Sequence, residues 1–246
     1  MPDDNTTQLI GNTICPYCQR TRILLEDAGI PHEWVELDFT DKPDWFMALT
    51  PAGKVPVLRH QGQSVFESGA ITEYLNELAR QRYLPVDPLQ RAQVRSWALY
   101  AERLHEEARA YFTARTDTDM TAARQRLLGR LAKLAEPDPA LFINGEVLSL
   151  AGVCLAPLFI LLQALPEDGA PIAHEHAAVS ALAEQLLAQP AVSRINSPDY
   201  RERFTRFVLA PDTAFARRYR SSTVAAGATA TSASESRSAS YLTRSA

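Results

Sequence analysis

The hydrophobic pattern divides the chain into a mixed first part and a helical remainder. In residues 32–39 apolar and polar side chains alternate, which predicts a strand with one apolar face. Residues 68–78 instead carry apolar side chains three and four positions apart, the spacing of one helix face. Strands are expected at residues 7–11, 32–39, 55–58 and 64–66, and helices at residues 19–28 and 68–78. The predicted order is therefore β-α-β, a loop, and β-β-α.

Beyond a proline-bracketed linker, strand signals largely vanish and helical spacing takes over. Further helices are expected at residues 89–111, 120–134, 149–165, 172–188 and 200–209. The helix at 149–165 is apolar on all sides, which predicts a central place in the core of a second domain. Residues 221–246 contain eight Ser, seven Ala and four Thr, too little apolar material to offset the entropy of ordering. We expect an α/β thioredoxin-like domain at 1–82, a linker at 83–88, an all-α domain at 89–212 and a disordered tail at 213–246.

Composition excludes several classes of partner. The 246 residues carry 25 Lys and Arg against 29 Asp and Glu, a net charge of −4, which argues against nucleic acid or an anionic membrane as the main partner. The most apolar run, residues 155–165, contains Pro157 and Gln163 and falls short of the roughly 20 residues that span a bilayer. The first residues show no secretory pattern, so a cytoplasmic protein is expected.

The strongest chemical signal is the sequence Cys15-Pro16-Tyr17-Cys18, placed where a strand gives way to a helix. A helix N-terminus offers unpaired N–H groups and partial positive charge, and both stabilise a thiolate. We therefore expect Cys15 to be the nucleophile and Cys18, one turn further, to be a shielded thiol able to resolve a mixed disulfide. Because the motif sits within a β-α-β unit and export signals are absent, it predicts redox chemistry on a thioredoxin-like domain.

Two alternative interpretations of the cysteines, a zinc site and a buried structural pair, have less support in the sequence. A zinc site needs a second pair of ligands at suitable spacing, and the candidates Cys154, His174 and His176 lie far along the helical part. No metal is expected. A plain buried pair of cysteines is the remaining alternative.

Several residues after the cysteine motif suit a short zwitterionic peptide. A cis Val55-Pro56 bond would leave the Val55 backbone free to pair with an extended ligand. Ser68 is placed to cap a helix and to bind a carboxylate there, while Glu67 could accept a hydrogen bond from an ammonium group. Lys42 could balance a second carboxylate. Together with Cys15, these residues outline a site for a peptide thiol such as glutathione.

The chain also resembles a known family, the glutathione S-transferase superfamily, and within it the cysteine-type, omega-like branch. The resemblance is carried by residues 15–25 (CPYCQRTRILL), 41–46 (DKPDWF), 51–58 (PAGKVPVL) and 67–71 (ESGAI). It implies a thioredoxin-like glutathione domain, a helical domain that supplies the co-substrate pocket, and a homodimer. It also implies a catalytic Cys15, with glutathione bound by the residues at the matching positions, which are Tyr17, Lys42, Val55, Pro56, Glu67 and Ser68.

Two departures from the family pattern affect these expectations. Cys18 restores a dithiol pair where omega-like members usually have a single cysteine, so monothiol and dithiol turnover both stay open. The central helix of the family often opens with Ser/Thr-x-x-Asp, whereas here the fourth residue is Gly152. That change loses one capping interaction, typically worth about 1 kcal/mol.

The function expected from the sequence is glutathione-dependent thiol transfer or reduction. The Cys15 thiolate would attack a glutathionyl mixed disulfide or conjugate, as in deglutathionylation or the reduction of dehydroascorbate-like acceptors. The alternatives are glutathione conjugation to electrophiles and a non-enzymatic regulatory module of the same fold. The acceptor is left open, because the aromatic residues of the helical part that could line its pocket are more often core. These residues are Trp97, Tyr100, His105, Tyr111 and Phe112.

Overall fold

The first domain is a four-stranded sheet with helices packed on it. The computed structural model describes residues 6–39, 41–165, 172 and 175–221. The elements of the first domain are β1 (Gln8–Gly11), α1 (Pro16–Asp27), β2 (Glu33–Glu36), α2 (Asp44–Met47), β3 (Val57–His60), β4 (Gln63–Phe66) and α3 (Ser68–Leu78). The strand order is β2-β1-β3-β4, with β1 and β2 parallel and the other neighbours antiparallel. This confirms the predicted thioredoxin-like architecture.

The topology places the cysteine motif at one end of the central strand. A parallel pair such as β1 and β2 needs a crossover connection, and α1 supplies it. Since β1 is buried along its whole length, the chain leaves the sheet core at Gly11 and enters α1 five residues later. The observed strands differ from the predicted ones by one to three residues at their ends: β2 ends at Glu36, and β3 begins at Val57, after a proline that has no N–H to give to the ladder.

The second domain is mostly helical and is built around one buried helix. Its elements are α4 (Pro88–Thr113), α5 (Asp117–Ala132), short 3-10 turns at Lys133–Ala135 and Pro139–Leu141, β5 (Ile143–Asn144), β6 (Val147–Leu148), α6 (Leu150–Ala164), α7 (Ala177–Leu187), α8 (Pro190–Ile195) and α9 (Pro198–Leu209). Every residue of α6 except Gln163 is buried, and α6 packs against both α4 and α1. The central position predicted for this helix is confirmed. None of the described helices is both long and apolar enough to cross a membrane.

Three expectations for this domain need correction. It is not purely α, because β5 and β6 pair as a small antiparallel hairpin too short to leave a strand signal. The helix expected at 172–188 is seen as α7 from Ala177, and residues 173–174 lie outside the described ranges. The domain also extends beyond 212: residues 214–221 are helical, and the buried ring of Phe215 lies 5.4 Å from that of Tyr111. The rest of the expected tail, 222–246, lies outside the described residues.

Candidate active site

Cys15 occupies the N-cap of α1. Its backbone is extended (φ −79°, ψ 117°), and its carbonyl accepts the first helical hydrogen bonds, from the amides of Cys18 and Gln19 at 3.0 Å each. Pro16 takes the first helical position, where a missing N–H costs nothing. The Cys15 side chain thus lies where the free N–H groups of the helix converge, as the sequence predicted.

The two thiols of the motif have pKa values shifted in opposite directions. The pKa of Cys15 is lowered, first because the Cys18 thiol donates a hydrogen bond to its sulfur and then because the Cys18 and Tyr17 amides and the Arg20 charge favour the thiolate; burial opposes them. The pKa of Cys18 is raised well above its usual value, mainly because that thiol is buried and 1% exposed. All three cysteines of the chain are free thiols. Of the two thiols, Cys15 is therefore the one whose thiolate form the site favours, and Cys18 donates a hydrogen bond to it.

Gly11, at the end of β1, fixes the depth at which Cys18 lies. A Cβ atom at this position would lie 2.7 Å from the Cys18 sulfur and 2.8 Å from the ring of Trp34, closer than real Cβ contacts. Only glycine lets Cys18 pack against the strand in this way. The sequence analysis did not single out this residue.

A cavity of about 370 Å³ opens beside the N-terminus of α1. Its lining consists of Tyr17, Arg20, Thr50, Lys54, Val55, Pro56, Glu67, Ser68, Gly69 and Glu102. The Val55-Pro56 bond is cis, as predicted. Within the described residues, the backbone N–H and C=O of Val55 have no hydrogen-bond partner, so both are available to an extended ligand.

The Glu67-Ser68 pair lies at this cavity, in a different arrangement from the one expected. Ser68 is not the N-cap of α3: Glu67 holds that position with a positive φ of 65° and no side-chain cap, and Ser68 is the first helical residue. The Ser68 hydroxyl accepts a hydrogen bond from Arg20. The left-handed backbone at Glu67 turns the chain sharply between β4 and α3, so both residues of the pair line the cavity.

Lys42 lies outside the cavity lining. Its ammonium donates to the carbonyl of Gly53 at 2.8 Å and so supports the loop that leads to Val55. The lysine that lines the cavity is Lys54. Of the residues predicted from the sequence, Tyr17, Val55, Pro56, Glu67 and Ser68 meet in one cavity, Cys15 and Cys18 lie in the adjoining turn, and Lys42 acts on the loop behind it.

Two charged residues that the sequence analysis missed join the domains at this site. Arg20 is 3% exposed and donates from both terminal nitrogens to one oxygen of Glu102 on α4, at 2.9 and 3.0 Å. One of those nitrogens also lies 3.9 Å from the sulfur of Cys154 on α6. Arg20 and Glu102 are 82 positions apart in the sequence. The signal that could have found them is the positive charge on the inner face of α1, because a buried arginine needs a counter-charge.

The aromatic candidates of the helical domain separate into three groups. His105 is buried with its ring 5.9 Å from that of Tyr17, and burial lowers its pKa to about 4. Tyr111 and Phe112 are core residues. Trp97 lines a different cavity, of about 720 Å³, between the 83–88 linker and the β5–β6 hairpin.

Tyr200, on helix α9, is a buried tyrosine near the cysteine turn. The buried hydroxyl of Tyr200 has no hydrogen-bond partner among the described residues, and neither has Oε1 of Gln19. Burial raises the pKa of Tyr200, on which the Gln19 amide and the Cys15 charge also act, so the hydroxyl lies near both. In the described part of the chain, no three His, Cys, Asp or Glu side chains cluster as a metal site would require.

Part of the chain is similar in sequence to known proteins. Residues 14–78 match the family described as "Glutathione S-transferase, N-terminal domain". The chain is 30% identical over 156 residues to glutathione S-transferase omega-1 of Sus scrofa, covering 61% of this chain and 65% of that protein. It is 31% identical over 145 residues to glutathione S-transferase DHAR3, chloroplastic, of Arabidopsis thaliana, covering 58% and 53%. The matched regions thus span less than two thirds of these relatives.

The fold itself extends further than the sequence match. A rice glutathione S-transferase solved in complex with glutathione superposes with a TM-score of 0.73 at 23% identity, over 85% of this chain and 99% of that one. This similarity concerns the arrangement of both domains. The N-terminal part of the chain therefore matches the glutathione S-transferase family, and the whole described fold is that of the solved two-domain glutathione S-transferases.

Proposed function

We propose that the protein is a glutathione-dependent thiol transferase or reductase with Cys15 as its nucleophile. The observation that carries the proposal is the lowered pKa of a thiol at the N-cap of α1, beside a cavity that presents the free Val55 backbone and the Glu67-Ser68 pair. Omega-type relatives and a relative of the DHAR type support the same class of activity.

In the first step the Cys15 thiolate attacks the glutathione sulfur of a mixed disulfide. The sulfur–sulfur bond of the substrate breaks, its other half leaves as a thiolate that takes a proton from water, and Cys15 is left as a mixed disulfide with glutathione. A low pKa makes the thiolate available, and the hydrogen bond from the Cys18 thiol keeps it so. Bound glutathione would pair with the Val55 backbone and place its γ-glutamyl end at Glu67 and Ser68.

The second step favours the monothiol route. A second glutathione thiolate attacks the mixed disulfide, which releases glutathione disulfide and restores the Cys15 thiolate. The competing attack by Cys18 needs its thiolate, and burial raises the pKa of that thiol well above its usual value. Cys18 therefore serves as a hydrogen-bond donor in most turnovers, and a Cys15–Cys18 disulfide is the minor product.

The test is mass spectrometry of the full chain after exposure to glutathione disulfide. The wild type and Cys18→Ser should each gain one glutathione, while Cys15→Ser should gain none. An adduct on Cys15→Ser would remove the role assigned to Cys15. No adduct on any protein would favour the non-enzymatic module, and accumulation restricted to Cys18→Ser would establish the dithiol route.

Conjugation of glutathione to electrophiles fits the site less well. That reaction needs a hydroxyl to activate the sulfur of glutathione. The hydroxyl within the motif, that of Tyr17, has a pKa raised chiefly by burial. The homodimer implied by the resemblance stays a prediction, which size-exclusion chromatography with light scattering tests.

A further inference from the structure

Glu36, the last residue of β2, holds the turn that leads into the proposed nucleophile. Its Oε1 accepts a hydrogen bond from the Thr13 amide at 3.1 Å, and its Oε2 accepts one from the Thr13 hydroxyl at 2.7 Å. Because β2 runs parallel to β1, with Glu36 paired to Gly11, the carboxylate lies beside the residues that follow β1. Thr13 is therefore held by its backbone and by its side chain, two positions before Cys15.

Asn12 ties the same turn to the end of β2. Its side chain donates to the carbonyl of Leu37 at 2.8 Å and accepts a hydrogen bond from the Ile14 amide at 3.1 Å. The Asn12 carbonyl in turn accepts a hydrogen bond from the Cys15 amide at 3.0 Å. The position of Cys15 at the start of α1 is thus set by the end of β2 as well as by α1 itself.

Glu36 is itself held by two further groups. The indole N–H of Trp34 donates to Oε2 at 2.8 Å, and the guanidinium of Arg203 on α9 lies 3.5 Å from Oε1. Arg203 belongs to the helical domain, so this contact joins the second domain to the cysteine turn. The two side chains are 47% and 37% exposed, and ion pairs at such positions add little stability. The contact therefore acts mainly on the orientation of the carboxylate.

Glu36 has two effects on a neighbouring thiol, and they have opposite signs. The Cys18 thiol, and then the Cys18 and Tyr17 amides, lower the pKa of Cys15 through hydrogen bonds that weaken steeply when their geometry is lost. A loosened turn would therefore raise the pKa of Cys15. The negative charge of Glu36 by itself disfavours a thiolate: burial raises the pKa of Cys18 most, and the Glu36 charge contributes to the same rise.

We propose that Glu36 is a positioning residue for the reaction at Cys15: it holds Thr13 in the geometry that keeps the cysteine sulfur at the N-terminus of α1, and Arg203 holds Glu36. The inference rests on the proposed function and deepens it, because it assigns how the nucleophile is placed. It follows that α9, a helix of the second domain, affects the reactivity of the thiol through a single carboxylate.

The experiment measures the pH profile of Cys15 alkylation by iodoacetamide on variants of the full chain, resolved to the individual cysteine by fragment mass spectrometry. Salt at about 0.15 M screens the direct effect of exposed charges. Thr13→Val removes the hydroxyl donor without changing the charge, and should move the midpoint to higher pH by about 0.5 unit, the size of the effect of a helix N-terminus on a neighbouring charge. Glu36→Gln should move the midpoint in the same direction, although loss of a negative charge alone would move it to lower pH.

Three controls make the result specific. Thr13→Ser keeps the hydroxyl and should restore the wild-type midpoint. Glu202→Gln removes the same charge from an exposed pair with Arg206 on α9, and should leave the midpoint unchanged. Cys154 is buried and becomes alkylated only if the fold opens, so it identifies a variant that has unfolded. If Glu36→Gln unfolds, Thr13→Val decides the question.

Arg203→Ala tests the link to the helical domain. It should raise the midpoint by less than Glu36→Gln, because the carboxylate keeps its bonds to Thr13. In the Glu36→Gln background the same change should add nothing, since Arg203 acts through Glu36. An additive shift in the double variant would overturn the role assigned to Arg203.

The outcomes separate this inference from the proposed function. A midpoint that Thr13→Val leaves unchanged, no rise with Glu36→Gln, or an equal rise with Thr13→Ser and Thr13→Val overturns the positioning role, while the glutathione adduct on Cys15 still stands. A wild type that forms no adduct with glutathione disulfide overturns the proposed function instead, and the alkylation profiles then still show whether Glu36 positions the thiol.

Discussion

Replacing Gly152 by alanine should destabilise the protein, although glycine is normally the poorer helix former. Gly152 lies in the first turn of α6, where its N–H donates to the Ser149 hydroxyl at 3.1 Å. An added Cβ would lie closer than 3.0 Å to the carbonyl oxygen of Phe142, which real Cβ atoms do not do, and 3.2 Å from a methyl group of Leu186. The Phe142 oxygen cannot easily withdraw, because it accepts the Ser149 amide at 3.0 Å.

The magnitude follows from two opposing terms. Alanine in place of glycine inside a helix gains about 0.5–1 kcal/mol from chain entropy and helix propensity. Forcing atoms into a packed site costs about 1–3 kcal/mol. Because the Gly152 contact is with backbone, we expect the cost to dominate and the free energy of unfolding to fall by about 1–2 kcal/mol.

Gly129→Ala is the matched control. Gly129 lies in α5, and a Cβ atom there would meet nothing within 4 Å, so this variant should gain about 0.5–1 kcal/mol. In urea unfolding followed by circular dichroism, the midpoint concentrations of the two variants should therefore shift in opposite directions from that of the wild type. In thermal unfolding, each kcal/mol corresponds to a shift of about 2–4 °C in Tm for a chain of this size. If Gly152→Ala were as stable as Gly129→Ala, the Phe142 segment would have yielded and the reasoning would be wrong.

Two more predictions concern titration. Cys18→Ala removes the donor that most lowers the pKa of Cys15, so the pH profile of Cys15 alkylation by iodoacetamide should shift to higher pH; an unchanged profile would assign the thiolate to the helix N-terminus alone. Burial lowers the pKa of His105 from 6.5 to about 4, so the unfolded chain takes up a proton first as the pH falls. The contribution of His105 to the free energy of unfolding is then fully present above about pH 6.5 and is lost progressively, by up to about 3 kcal/mol, as the pH falls towards 4. His105→Gln should flatten that part of a pH series of urea unfolding curves, and an equally steep decline in the variant would place the titrating group elsewhere.

The parts of the site that the sequence predicted are those fixed by neighbours in the chain. Cys15 at the start of α1 follows from local signals, whereas the cis bond at Val55-Pro56 was expected only because this proline follows the cysteine motif along the chain; the structure agrees with both. Ser68 was misplaced by one position because capping preferences do not register the positive φ that Glu67 adopts. The hairpin of the second domain was missed because two-residue strands carry no periodicity.

The remaining parts depend on contacts between distant positions. Arg20 and Glu102 are separated by 82 positions and meet only because α1 packs near α4, which no local pattern contains. Gly152 is a similar case: the sequence suggested a lost cap, whereas the structure shows a backbone oxygen where any side chain would have to go. Here the departure from the family pattern reflects close packing at the helix start.

Different residues of the site determine the affinity for the ligand and the reactivity of the Cys15 thiolate. The thiolate of Cys15 is favoured by groups of α1 itself: the Cys18 thiol, two amides and Arg20. The γ-glutamyl end, in our proposal, lies at Glu67 and Ser68, and the Ser68 hydroxyl accepts a hydrogen bond from Arg20. Arg20 is the one residue common to both sets. Its loss should therefore lower affinity and reactivity together, whereas changes at Cys18 act on reactivity alone.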